Sequence, residues 1–277
     1  MSDGRGDRHG RPRVDVPSLA RRRGQSVVDV GLAATSRAFP PVAVLAVVLL
    51  AWHAAVVVSD MPTLILPSPL EVLEALAETY PTLLEDAAVT GLTAGLGLLA
   101  GGTVGFVLAF AMTYSRAATR TLLPYVVALR IAPLIAVAPL LFLWFGRGVL
   151  ARALLVTTLT VFPITIAAVD GLRSTPESYL DLARTVGASR TAVFLRVRVP
   201  AAAPSVFAGF KIAATLSVVG AVVAEFVTLE AGLGYRVFDT AAYLRTAETY
   251  AALVVLSGLG VGFYVLPVAA ERAFWRA

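Results

Sequence analysis

Six apolar runs, each close to twenty residues or longer, dominate the chain: roughly 40–58, 87–113, 122–144, 149–169, 204–227 and 249–270. A helix needs about 20 apolar residues to cross the hydrocarbon of a bilayer. Unpaired backbone groups are too costly there for anything but helices or closed barrels. The runs therefore predict an all-α polytopic membrane protein with about six transmembrane helices. Composition agrees, since 58% of the 277 residues are hydrophobic and 15% charged, and the mean hydropathy of +0.80 exceeds that of ordinary soluble domains. An even number of crossings puts both termini on one side.

The arginines say which side. Cytoplasmic flanks of membrane spans are enriched in basic residues. Residues 1–38 hold eight arginines against four aspartates, the loop at Arg116 and Arg120 two, residues 170–203 five and the C-terminal end two. All of these fall on one face of a six-span topology, whereas the other receives only Arg147, Arg152, Arg236 and Arg245. Its longest loop, 59–86, contains six acids and no base. Both termini are thus expected to be cytoplasmic. Residues 1–38 read as a disordered basic tail and 39–277 as the membrane domain, with a cytoplasmic segment at 174–203. The basic region is longer than that of a secretory signal and no small-residue cleavage site follows Val58, so the first run is expected to remain as an anchor.

Several chemistries are excluded. Cysteine is absent and the two histidines, His9 and His53, are far apart in sequence, which removes disulfides and His/Cys metal clusters. Lys211, the single lysine, stands in "GFKI", so no Walker loop can be assembled. The chain is expected to be no enzyme, with no catalytic residue, cofactor or metal and no nucleic-acid partner. Five glycines at 91, 95, 97, 101 and 105 in the second run give small-xxx-small spacings that allow another helix to approach closely.

Between the fourth and fifth runs lies "STPESYLDLARTVGASRTAVFLRVRVP". Thr175 before Pro176 suits a helix start, and Ser178 with Asp181 offers an alternative capping box. Tyr179, Leu180, Ala183 and Val186 recur at helical spacing as an apolar stripe, and Gly187 occupies the place of a left-handed C-cap. Ser189 is expected to cap a second helix through Arg198, ended by Pro200. Two short helices meeting at a glycine elbow would offer an apolar stripe to a partner in the cytosol.

At these positions the segment resembles the EAA loop of permease subunits of ATP-binding-cassette importers. That pattern runs E-A-A, three residues, G, nine residues, then I-x-L-P. Asp181, Leu182 and Ala183 stand for the first three, Gly187 with Ala188 after it for the glycine, and Val197, Val199 and Pro200 for the ending. The substitutions bear on affinity for the ATPase and leave the docking role intact. "LPSPLEVLEAL", "APLIAVAPLLFLWFG", "VGAVVAEFV" and "GLGY" extend the similarity over roughly 40–273, to the group serving nitrate, sulfonates, taurine and pyrimidine precursors. The resemblance implies a type I importer permease fold and a permease homodimer in membrane lipid. It also implies cytoplasmic ATPase subunits on the EAA helices and an extracytoplasmic solute-binding protein. The cargo it implies is a small organic solute such as a pyrimidine-type vitamin precursor, riboflavin, a sulfonate or taurine, or nitrate.

Arg130, Lys211 and Glu225 fall inside apolar runs, where a central charge costs about 2.5–3.5 kcal/mol. An Arg130–Glu225 pair is rejected, because at about 1.5 Å per residue their depths differ by roughly 20 Å. Lys211 is close enough to the inner end of its span to snorkel. Glu225 stands, in family terms, where the fifth span meets the outer gate; hydrogen bonding to a neighbouring helix end is the other reading. Pro133 and Pro139 favour bends, either beside the pathway together with Arg130 or as packing kinks. An ion-coupled secondary transporter, the alternative, would show paired mid-membrane acids and internal repeats, neither of which is evident.

Overall fold

The computed structural model describes residues 27–131 and 134–276. Every regular element among them is helical. Two units are distinguished, one ending at Ala55 and the other spanning Val56–Ala277. The described part of the first belongs to helix α1, Val27–Val58, whose apolar stretch is Val42–Val58. Of the expected tail, residues 1–26 lie outside the described residues and 27–38 form the start of α1, where no proline interrupts the chain before Pro40.

In the second unit four helices are long and apolar enough to cross a membrane: α2 (Pro69–Tyr114), α5 (Val149–Arg173), the continuous run Arg190–Thr228 and α10 (Thr246–Phe274). Two expectations are corrected. The third run is a bent pair, α3 (Arg116–Ile131) and α4 (Leu134–Phe145), inclined at 100° to one another. Pro133, which the sequence offers as a bend, lies outside the described residues. Pro139 is carried within α4. The acidic stretch 59–86 is mostly helix, because α2 starts at Pro69. Its start is fixed by a capping box in which Ser68 Oγ accepts from the Glu71 N–H at 3.3 Å and the Ser68 N–H donates to Glu71 Oε2 at 2.6 Å, with proline in the first turn. The 46 residues of α2 make a rod of roughly 69 Å, so its acidic first turns project beyond a bilayer of about 30 Å.

Helix α5 is the most buried of the four long helices. On one side Gly97, Gly101 and Gly105 of α2 lie against it: a Cβ on Gly97 would meet Val156 and sit 3.0 Å from the Ala153 carbonyl, and one on Gly101 would run into Thr160. On the other side a Cβ on Gly209 would stand 3.0 Å from the Pro163 carbonyl, and one on Gly220 3.4 Å from the Val156 Cα. Gly209 and Gly220 belong to α8 (Val199–Thr228). Of the five glycines read from the sequence, three therefore form the packing row, while Gly91 makes an ordinary contact and Gly95 faces open space. Close backbone approach lets Thr160 Oγ1 donate to the Gly97 carbonyl at 3.1 Å, a bond between helices that replaces water absent from the membrane. Gly101→Leu is expected to overpack this seam by about 1–3 kcal/mol or more. The check is the midpoint of thermal unfolding in detergent, which should fall for Gly101→Leu and stay in place for Gly95→Ala.

Candidate functional site

Two clusters carry the sequence-predicted residues. The first is the segment after α5. Helix α6 spans Glu177–Thr185, inside the expected window, but its N-cap is Pro176 and no side chain caps it. Thr175 is buried one residue earlier, with its hydroxyl unbonded among the described residues, so neither capping scheme read from the sequence forms. The far end follows expectation. Gly187 has φ +70°, the Ala188 N–H donates to the Ala183 carbonyl at 2.9 Å and the Gly187 N–H to the Arg184 carbonyl at 3.0 Å, a Schellman closure that a Cβ-bearing residue would strain. Ser189 Oγ then accepts from the Ala192 N–H at 3.2 Å and opens α7 (Arg190–Val193).

Here the structure departs from the reading again. Pro200 does not stop the second helix. A π-helical turn, Phe194–Arg198, follows α7 and runs directly into α8, with the Val199 N–H bonded to the Phe194 carbonyl. In a regular α-helix the Pro200 ring would press on the carbonyl four residues earlier. The wider turn makes room for it, and π turns recur at functional positions. Phe194 is held edge-on against Phe110 of α2, ring centres 4.8 Å apart. Ala183 is buried and Leu180 half-buried against the rest of the unit, while Tyr179, Leu182 and Val186 present an exposed apolar stripe. Asp181 pairs with Arg184 at 2.7 Å at the surface. Val197 is half-buried in the π turn and Ala188 half-buried in the elbow.

The second cluster surrounds Glu225, which is fully buried in the last turn of α8. Its Oε2 accepts from the Gly234 N–H at 2.8 Å and lies 3.1 Å from the Thr90 hydroxyl. Thr90 Oγ1 accepts from the Leu233 N–H at 2.8 Å, and Asp86 Oδ1 from the Gly232 N–H at 3.2 Å. Asp86 Oδ2 accepts from Arg236 Nε at 2.8 Å, and Arg152 donates to the Ala231 carbonyl at 3.2 Å. Three successive N–H groups at the start of α9 (Leu233–Ala242) are thus met by side chains of α2 and α8. A helix start leaves such donors unpaired and carries a partial positive charge, which explains why carboxylates sit there. Gly232 has φ +109°, and a Cβ on it would collide with the Glu225 carboxyl. The helix-end reading of Glu225 is what the geometry displays. Sequence reading missed Asp86, Thr90, Arg152 and Gly232; the signal available was "GLGY", two glycines around the place where the carboxylate lands.

The other charged residues are separate from both clusters. Arg130 lies over the Phe162 ring at 4.7 Å, and the hydrogen bonds of Glu225 go to Thr90 and Gly234, in keeping with the rejected pair. Lys211 Nζ pairs with Glu271 Oε2 at 2.5 Å, so it is neutralised by α10 and does not depend on snorkelling alone. Pro139 is exposed on α4.

The family described as binding-protein-dependent transport system inner membrane component matches residues 101–274. A probable ABC transporter permease protein of Haemophilus influenzae is 36% identical over 228 residues, covering 82% of this chain and 93% of that protein. The formylaminopyrimidine transport permease protein ThiX of Halalkalibacterium halodurans is 31% identical, covering 81% and 90%, and the riboflavin transport system permease protein RibX of Chloroflexus aurantiacus 33% identical, covering 84% and 87%. Among solved structures, a chain of an amino acid ABC transporter with histidines superposes with a TM-score of 0.59 at 17% identity, over 71% of this chain and 96% of that one, a likeness of fold.

Thr90→Val keeps the shape at position 90 but leaves the buried Leu233 N–H without an acceptor, which costs about 1–3 kcal/mol. The expected outcome is a lower unfolding midpoint together with faster hydrogen exchange of the α9 amides, read by mass spectrometry.

Proposed function

The chain belongs to the binding-protein-dependent transport inner-membrane components, the permease subunits of ABC importers, and from that membership we propose how its two clusters divide the work. As such a subunit it is a multi-pass membrane protein that forms the translocation pathway, works with an ATPase and a solute-binding protein, and has the all-α type I permease fold. The finer assignments are ours: a homodimer, both termini in the cytoplasm, and ATP hydrolysis wholly in the partner subunit.

In this reading α6 docks on the ATPase. The observation that carries it is the exposed stripe of Tyr179, Leu182 and Val186 on a helix closed by the Gly187 elbow, with Ala183 buried beside it where α6 meets the rest of the unit. Apolar surface left uncovered among the described residues suits a helix-in-groove contact, and Asp181, Ala188, Val197 and Pro200 shape the elbow and its exit into α8. Closure of the ATPase dimer on ATP would shift α6 and, through the continuous helix Arg190–Thr228, bias the pathway between inward-open and outward-open arrangements. At the far end of that helix Glu225 holds α9, so the Glu225 cluster is proposed as the support of the outer gate. Arg130, Pro133 and Pro139 are assigned to the bent α3–α4 pair beside the pathway.

The cargo is proposed to be a small organic solute of the kind named for its relatives, a pyrimidine-type vitamin precursor, riboflavin, a sulfonate or taurine. Relatives are named for the transport of formylaminopyrimidine, riboflavin, aliphatic sulfonates and taurine. Nitrate belongs to the same proposal on the sequence resemblance alone. An ion-coupled secondary transporter is not favoured.

Leu182→Glu places a charge on the docking stripe, and Gly187→Pro cannot adopt the left-handed elbow. Either is expected to abolish co-purification with the ATPase subunit and ATP-driven uptake in proteoliposomes; retention of both would refute the docking assignment. Glu225→Gln preserves size but weakens acceptance from Gly234 and Thr90 by about 1 kcal/mol or more. Import and the stimulation of ATP hydrolysis by loaded binding protein should fall about fivefold or more. Unchanged values would remove Glu225 from the gate.

A further inference from the structure

Two cavities open side by side where α2 ends, on the side that carries α6. One, of about 440 Å³, is lined by Tyr114 and Phe194 together with Arg184, Arg190 and Arg198. The other, of about 550 Å³, is lined by Tyr114 with Arg116, Arg120 and Arg173. Thr113 and Tyr114 belong to both, and neither is lined by an aspartate or glutamate. Arg184 is paired with Asp181, and Arg173 donates to the Met112 carbonyl at 3.0 Å and the Thr119 hydroxyl at 2.8 Å. Arg116, Arg120, Arg190 and Arg198 have no hydrogen bond or ion pair within the protein among the described residues.

Their placement raises the electrostatic demand. Arg116 is the first residue of α3 and Arg190 the first of the helical run that ends at Thr228. Helix starts carry partial positive charge, so a cation there is at the unfavourable end and an anion at the favourable one. A bias of arginine towards one side of a membrane asks only that the residues flank the spans. It does not ask that three gather round one cavity and three round its neighbour with no carboxylate lining either.

We propose that the paired cavities are a binding site for a phosphate-bearing anion, the headgroup of an anionic phospholipid or a soluble phosphate ester. The guanidinium fork matches two phosphate oxygens at once, which is why arginine serves such sites better than lysine. The position fits a headgroup. The apolar stretch of α2 gives way to polar sequence at Tyr114, tyrosine is favoured at the membrane interface, and basic pockets between spans take anionic headgroups. The site is distinct from the outward stripe of α6, because the lining residues of α6, Leu180 and Arg184, are not those of the stripe.

The test uses the purified full-length chain without its ATPase, presented with equal amounts of phosphatidylglycerol and phosphatidylcholine and read by native mass spectrometry. Wild-type protein is expected to retain phosphatidylglycerol in preference. Arg190→Gln with Arg198→Gln, and separately Arg116→Gln with Arg120→Gln, should each lower that preference by about tenfold or more, given about fivefold per arginine at an anionic surface. The charge-keeping pair Arg190→Lys with Arg198→Lys should lie between, which separates loss of charge from loss of fold. Millimolar pyrophosphate distinguishes the sources: displacement of the lipid by pyrophosphate, with binding of pyrophosphate lost in the glutamine variants, indicates a soluble ester, and lipid retained against it indicates a headgroup. Equal retention of phosphatidylglycerol by wild type and both glutamine pairs, with pyrophosphate bound equally, overturns the proposal. So does unchanged anion binding accompanied by loss of the ATPase on co-purification, which would make these arginines contacts to a protein.

Discussion

The arrangement rests on how closely α5 is approached from both sides. Glycines at 97, 101 and 105 admit its backbone to α2, and glycines at 209 and 220 admit it to α8. In hydrocarbon the hydrophobic effect gives no reason for helices to associate, so contact depth and hydrogen bonds between helices must hold the unit together. The Thr160–Gly97 bond exists only because the backbones come this close. Once α2, α5 and α8 are fixed, the middle of α2 and the C-terminal end of α8 meet the start of α9, and the C-terminal end of α2 meets the α6–α7 elbow.

That convergence explains why the Glu225 cluster is built from residues distant in sequence. Asp86 and Thr90 come from α2, Glu225 from α8, and the donors they serve from the first turn of α9. Burying a carboxylate this completely would be costly in isolation. Here it accepts a backbone N–H at a helix start and lies within hydrogen-bond distance of a hydroxyl. The same logic runs at the elbow in a milder form, where a glycine in a left-handed conformation and a serine cap close one helix and open the next.

Much of this was legible in the sequence, and what was hidden has physical causes. Apolar runs disclosed the helical class, because their length is set by the bilayer and little else. Gly187 and Ser189 were readable because a C-cap and an N-cap depend on local chemistry. Pro200 was misread because a proline's usual effect is to end a helix, and a π turn that accommodates it leaves no mark on residue spacing. The helical start of α2 was missed, although Ser68, Pro69 and Glu71 spell a capping box, because acidic residues between spans suggest a loop. Thr90, which meets Glu225, and Glu271, which pairs with Lys211, lie 135 and 60 residues away in sequence respectively, and no periodicity carries such information.

The π turn gives the molecule a mechanical property. Since α7, the turn and α8 form one helix of 39 residues, they amount to a stiff lever of roughly 58 Å whose short arm carries the elbow and whose long arm ends beside Glu225. A tilt of only ten degrees at the elbow would sweep the far tip through about 10 Å, which is far more than the carboxylate's hydrogen bonds to α9 can stretch. Either α9 travels with the lever or its hold is released, and a helix broken at Pro200 would transmit neither.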